Sequence, residues 1–128
     1  MRLLLDTHIV LSMVNGSFAD HFPAVRRLLI ENVAIGFVSV ASLWEIAIKS
    51  RLGKLVTDIP VEQIPEFLES SVLTILRIEI PHVITAADPQ PETRDPFDRL
   101  LLSQCQVEGL QLVTIDRALI NHPLAFRL

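Results

Sequence analysis

Three consecutive leucines, Leu3 to Leu5, end abruptly in Asp6, Thr7 and His8. Successive side chains of a strand point to opposite faces, so an unbroken apolar run is stable only where both faces are covered. The run therefore predicts a central strand of a parallel sheet, with a polar cluster at its C-terminal end. Ile9 to Val14 reads as a short apolar helix stopped by Asn15-Gly16, and Asp20 can cap a second helix with Phe22, Val25, Leu28 and Leu29 on one face. Val33 to Val38 is strand-like, and Ser39 to Leu52 follows as a helix ended by Gly53. After Pro60 a helix is predicted over Val61 to Ser70 and a strand over Leu73 to Ile80. Four prolines make Pro81 to Pro96 the least regular stretch, with room for a short helix at most. Asp95-Pro96 is a strong helix start, Gly109 a stop after Glu108, and Leu110 to Ile115 a last strand. The alternation predicts an α/β fold, a mostly parallel central sheet with helices on both faces.

At 128 residues the chain has material for one domain, and a content of 50% hydrophobic against 20% charged residues excludes a disordered tail. Cys105 is the single cysteine, so neither an internal disulfide nor a cysteine-based zinc site is available; it reads as a buried thiol on a helix, in a reducing interior. Asp6 cuts the N-terminal apolar stretch too early for a signal peptide, and Val33 to Ile48 falls short of the roughly 20 residues that span a bilayer. The expectation is a soluble cytoplasmic protein with no membrane partner. Acids outnumber bases 15 to 11, for a net charge of -4, which speaks against binding nucleic acid by blanket phosphate neutralisation but leaves room for a locally basic rim. Aromatic residues make up only 5%, so stacking platforms are scarce.

The functional clue lies in where certain acids fall. Asp6 follows the first predicted strand, Asp116 follows the last, Asp98 sits in the first turn of the helix beginning near Pro96, and Glu45 lies in the helix after the second strand. A parallel sheet brings its strand C-termini to one edge, the edge where such folds bind ligands. Carboxylates converging there repel unless cations or protons compensate, and oxygen-only ligands suit hard cations such as Mg²⁺ or Mn²⁺. A metal-activated water acting on a phosphodiester is the chemistry such a cluster suggests. Each acid also has a plainer reading. Ser42 to Glu45 fits the capping-box spacing, Asp98 favours the positive end of its helix, Asp116 can be an N-cap, and Asp6 can close an Asx-turn. Their joint placement gives the metal-site reading its weight.

The segments Leu3-Leu4-Leu5-Asp6-Thr7-His8, Ser42-Leu43-Trp44-Glu45-Ile46-Ala47-Ile48-Lys49, Arg94-Asp95-Pro96-Phe97-Asp98-Arg99-Leu100-Leu101 and Leu112-Val113-Thr114-Ile115-Asp116 together resemble the PIN-domain ribonucleases, and more narrowly the VapC-type toxins of bacterial toxin–antitoxin pairs. The likeness covers essentially the whole chain in the family's order. It implies a PIN-like three-layer fold in which Asp6, Glu45, Asp98 and Asp116 hold Mg²⁺ or Mn²⁺ and cleave RNA. It also implies a cognate antitoxin that wraps the protein, self-association through helices of the N-terminal half as a homodimer, and a larger assembly with the antitoxin. Exposed parts of Phe22 to Leu52 are candidates for such interfaces, whereas Leu43, Trp44, Ile46 and Ile48 are expected to serve mainly the core.

Several residues are secondary candidates. Asp95 is read as a cap. Thr7 and Thr114 can orient a carboxylate or a water, against the plainer reading of turn hydrogen bonds. His8 is read as a packing or hydrogen-bonding residue rather than a general base, and His21, His82 and His122 carry no assignment. Lys49, Arg51, Lys54, Arg94, Arg99 and Arg117 are candidate phosphate contacts, against the plainer reading of a solvated face paired with acids. Other classes are an inactive PIN-like binding module with its acids serving as caps, and a housekeeping nuclease without an antitoxin. A dehalogenase-like phosphatase would need a second Asp two residues after Asp6, where His8 stands. A phospho-acceptor receiver would need an acidic pair and a late lysine, but the last lysine is Lys54.

Overall fold

The computed structural model describes residues 1–128. Four strands, β1 (Arg2–Leu5), β2 (Ile35–Ser39), β3 (Leu73–Leu76) and β4 (Gln111–Val113), form one sheet in the order β3-β2-β1-β4, parallel throughout. Seven helices connect them: α1 (Thr7–Val14), α2 (Phe18–His21), α3 (Pro23–Ile30), α4 (Val40–Arg51), α5 (Ile64–Glu69), α6 (Ile80–Ile84) and α7 (Pro96–Glu108). None is long and apolar enough to cross a membrane.

The leucine run does what its pattern requires. Leu3 and Leu5 enter one apolar cluster with Val10, Val25, Leu29, Val38, Ile46, Ile64 and Leu68; Leu4 enters another with Leu101, Leu102, Cys105, Leu110, Leu112 and Leu119. β1 is thus the partition between two cores, each leucine adding about 1.5–3 kcal/mol by burial. Burial also pushes the Cys105 thiol up to about 12, so it is an inert part of the second core. Gly36 in β2 has a packing reason: a Cβ there would stand 2.6 Å from Leu73 Cδ2 and 2.8 Å from Leu29 Cδ2. Gly109 ends α7 with φ 68°, a left-handed residue cheap only for glycine.

The predicted boundaries shift where prolines and caps decide. Asp20 lies exposed inside the short α2, and α3 starts instead at Pro23, preset for a first helical position. The segment predicted as one helix over Val61 to Ser70 opens with a 3-10 turn, Val61–Gln63, and becomes α5 around Pro65. The strand predicted over Leu73 to Ile80 stops at Leu76, because Pro81 and the reciprocal Glu79–His82 cap begin α6 at Ile80. The unassigned His82 is buried there: its Nδ1 accepts from the Glu79 N–H at 2.9 Å and its Nε2 meets Glu108 Oε2 at 2.8 Å, tying α6 to α7.

The chain lays β2 and β3 on one side of β1 and then returns to put β4 on the other. The C-terminal edge between β1 and β4 is therefore the point where the winding reverses, and the crevice of an open α/β sheet opens there.

Candidate active site

Asp6 is where β1 turns into α1. Its N–H donates to the Val113 carbonyl at 3.0 Å, extending the β1–β4 ladder one step, while its Oδ1 caps α1 by accepting from the Thr7 N–H at 2.6 Å. The register pairing Leu5 with Val113 brings the next residues, Asp6 and Thr114, level, and the Thr114 hydroxyl donates to Asp6 Oδ2 at 2.7 Å. Burial raises the Asp6 carboxyl above its ordinary range; the Thr114 and Thr7 hydrogen bonds and the charge of His8 oppose that rise, and Glu45 adds to it.

Glu45 is not a capping residue. β2 runs in register with β3 as far as Ser39 opposite Leu76, so α4 is capped by Ser39, whose Oγ accepts from the Ala41 N–H at 3.0 Å, and Ser42 falls inside the helix. Buried in the second turn, Glu45 accepts at Oε1 from the Thr7 hydroxyl at 2.7 Å and at Oε2 from Lys49 Nζ at 2.7 Å. Ser42 Oγ stands 3.0 Å from the Thr7 hydroxyl and completes this buried polar knot. The bond to Glu45 raises the Lys49 ammonium above its usual range, burial opposes, and the fields of Asp95 and Asp98 add to the rise.

Asp98 and Asp116 complete the set from the other side. Asp95 caps α7, its Oδ1 accepting from the N–H groups of Phe97 at 2.8 Å and Asp98 at 3.3 Å. Asp98 is left half-buried with one long hydrogen bond, from the Thr93 hydroxyl at 3.3 Å. Its carboxyl is pushed up to about 7, first by burial and then by the charges of Asp95, Asp6 and Asp116, with Thr93 opposing. Asp116 closes a turn rather than a regular helix: its Oδ1 accepts from the Ala118 N–H at 2.8 Å, and its own N–H donates to the Thr114 hydroxyl oxygen at 3.0 Å. Thr114 thus joins Asp6 and Asp116 through one oxygen.

The sequence-predicted acids lie at one end of the sheet, where the charges of Asp6 and Asp116 act on Asp98 and Lys49 links Glu45 to the field of Asp98. As they stand, no three His, Cys, Asp or Glu side chains are gathered closely enough to enclose an ion. The donor set is carboxylate oxygen throughout, and beside the burial that chiefly raises Asp98 the charges of Asp95, Asp6 and Asp116 add to the rise, a repulsion that a hard divalent cation would relieve. The residues fit such an ion.

The secondary candidates divide. Arg99 is half-buried: its Nε donates to the Thr93 carbonyl at 2.7 Å and one terminal nitrogen to the Pro91 carbonyl at 3.2 Å, so it staples the loop before α7. Lys49 is occupied by Glu45, while Arg51, Lys54, Arg94 and Arg117 are exposed. His8, expected to pack or hydrogen-bond rather than act as a base, is exposed at the start of α1. Thr7 and Thr114 exceed the turn role, since their hydroxyls hold Glu45 and Asp6. Ser42 and Thr93 are further polar supports that the motifs, read as acids, did not single out.

Fold and site together define a class: a parallel α/β domain with carboxylates collected on the C-terminal edge of its sheet. Within that class, residues 3–123 match the PIN domain, and the chain belongs to the PIN domain family, whose members are generally nucleases. No curated protein matches the chain.

Proposed function

We propose that the chain is a single-domain, divalent-metal-dependent endoribonuclease of the VapC type, the toxin of a cytoplasmic toxin–antitoxin pair. The observation that carries this reading is the collection of Asp6, Glu45, Asp98 and Asp116 at the C-terminal edge of a PIN-domain sheet, where burial first and then the charges of Asp95, Asp6 and Asp116 push the Asp98 carboxyl up to about 7. Asp6, Glu45, Asp98 and Asp116 would hold the ion. When bound, Mg²⁺ or Mn²⁺ supplies a more acidic water and neutralises charge on the phosphoryl oxygens. Thr7 and Thr114 orient Glu45 and Asp6. Lys49 compensates Glu45, and exposed Arg51, Arg94 and Arg117 offer contacts to the RNA backbone. A homodimer and a larger assembly with the antitoxin belong to the same reading.

The test is RNA cleavage by the purified protein with Mg²⁺ or Mn²⁺ and with EDTA, beside Asp6→Asn. Cleavage that needs the metal and is lost in the variant supports the nuclease; activity equal in EDTA, or unchanged in Asp6→Asn, overturns it. Growth arrest on expression, relieved by the product of a small gene just upstream, supports the toxin role. An active enzyme without such a partner makes it a housekeeping nuclease.

A further inference from the structure

Of the four acids at the sheet edge, Glu45 alone has a cation against it. Lys49 Nζ stands 2.7 Å from its Oε2, and no lysine, arginine or histidine pairs with Asp6, Asp98 or Asp116. Glu45 and Lys49 lie four apart on α4, the spacing of an ordinary surface pair on a helix. Three observations set this pair apart. Its acid is buried, with a side chain only 10% exposed, whereas the lysine side chain is 40% exposed. That acid is also held from its other side, because Oε1 accepts from the Thr7 hydroxyl at 2.7 Å. Finally, the ammonium lies in the fields of Asp95 and Asp98 as well, and the charge of Glu45 reaches Asp6. One end of the pair is thus fixed, and the other is a flexible four-carbon stem open to water. The ammonium occupies a place to which carboxylates of the whole edge attract a cation.

Two cations drawn onto one carboxylate repel each other, and more strongly in a partly buried site than in water. A divalent ion and the Lys49 ammonium therefore compete for Glu45. We propose that Lys49 is a displaceable counter-ion that keeps Glu45 from the metal until the divalent ion is concentrated enough to expel it. This rests on the metal-dependent reading and adds to it what governs loading. The closed pair lowers the apparent affinity for the ion by the fraction of the time that Glu45 is free. The strength of one ion pair then sets the divalent concentration at which the site fills.

The test is Mn²⁺ binding in the absence of RNA, read at pH 8 from the EPR signal of the free ion. Lys49→Met keeps the stem and removes the charge; it should bind Mn²⁺ about tenfold more tightly than the parent, since the site no longer has to be vacated. Lys49→Arg can hold a carboxylate by two hydrogen bonds and should bind the ion about threefold more weakly. In a Glu45→Gln background Lys49→Met should change nothing. The rise in Tm on adding Mn²⁺ should follow the same order, largest in Lys49→Met and smallest in Lys49→Arg. A lysine that merely positions Glu45 gives the opposite pattern: weaker binding in Lys49→Met and parent-like binding in Lys49→Arg. Binding in Lys49→Met no tighter than in the parent overturns the proposal and leaves the metal reading standing, and so does a gain that persists in Glu45→Gln. If neither the parent nor any variant takes up Mn²⁺ at millimolar concentration, the metal reading itself fails and the proposal with it. If Lys49→Met does not fold, Lys49→Arg decides: affinity equal to the parent's, or higher, overturns the proposal.

Discussion

The acidic edge has a braced half and an open half. In the braced half, Asp6 and Glu45 are buried and every carboxylate oxygen is held at 2.6 to 2.7 Å, by Thr7, Thr114 and Lys49. In the open half, Asp98 has one hydrogen bond at 3.3 Å and Asp116 holds only its own turn. The difference follows from topology. Asp6 continues β1, the partition between both cores, whereas Asp98 and Asp116 hang on a helix start and on the turn after the edge strand β4. A rigid half fixes the geometry of a reacting centre and a loose half adapts to what arrives, so the two halves should answer differently to the same kind of change.

The largest effect is expected in the braced half. Asp6→Asn removes one charge of the acidic set, and its amide cannot accept from both Thr7 and Thr114. Cleavage with Mg²⁺ or Mn²⁺ should fall by at least about a hundredfold, since even groups that only orient a ligand cost up to that much. Next comes Thr7→Val, which keeps shape and deprives buried Glu45 of its hydroxyl donor. A tenfold to hundredfold loss of activity and about 1–3 kcal/mol of stability should follow, with Thr7→Ser restoring most of both. Thr93→Val is the matching change in the open half, where the bond is long and half-exposed; it should move activity by less than about threefold. Equal effects of Thr7→Val and Thr93→Val, read in cleavage assays and thermal melts, would erase the distinction between the halves.

The two halves were also unequally legible in the sequence. Apolar runs closed by Asp6 and Asp116 mark strand ends by chemistry alone, and Asp95-Pro96 marks the start of α7, so the placement of the acids could be read without tertiary information. What joins them could not. That Thr114 faces Asp6 depends on the β1–β4 register, and that Ser39 rather than Ser42 caps α4 depends on how far β2 pairs with β3. The capping-box spacing from Ser42 to Glu45 was therefore a coincidence of sequence. Trp44, expected in the core, is exposed because the rotation of α4 is set by Ile46 and Ala41, which enter opposite clusters and turn the indole outward. The loop bonds of Arg99 were hidden for the same reason: nothing local shows that the carbonyls of Pro91 and Thr93 curl back onto it.

The smallest effect is a pH dependence peculiar to the open half. In the metal-free protein the folded state holds a proton on Asp98 up to about 7, whereas the unfolded chain releases it near 3.8. Between those values the native state binds more protons than the unfolded one, so this group lowers stability as pH rises, and the loss is complete above about 7. Asp98 is half-exposed, so solvent screening reduces the effect to about 1 kcal/mol, or roughly 4 °C in Tm. Asp98→Asn removes the ionisation. Melted in EDTA, variant and parent should match below about pH 3.8 and diverge progressively up to about pH 7, with the variant the more stable at pH 8. Buried Asp6 shifts in the same direction but is common to both proteins, so the difference isolates Asp98. Adding Mg²⁺ at pH 8 should close the gap from the parent's side, because a cation replaces the missing proton. A gap that ignores both pH and Mg²⁺ would mean that burial and the charges of Asp95, Asp6 and Asp116 do not load Asp98, and that the open half is an ordinary helix start.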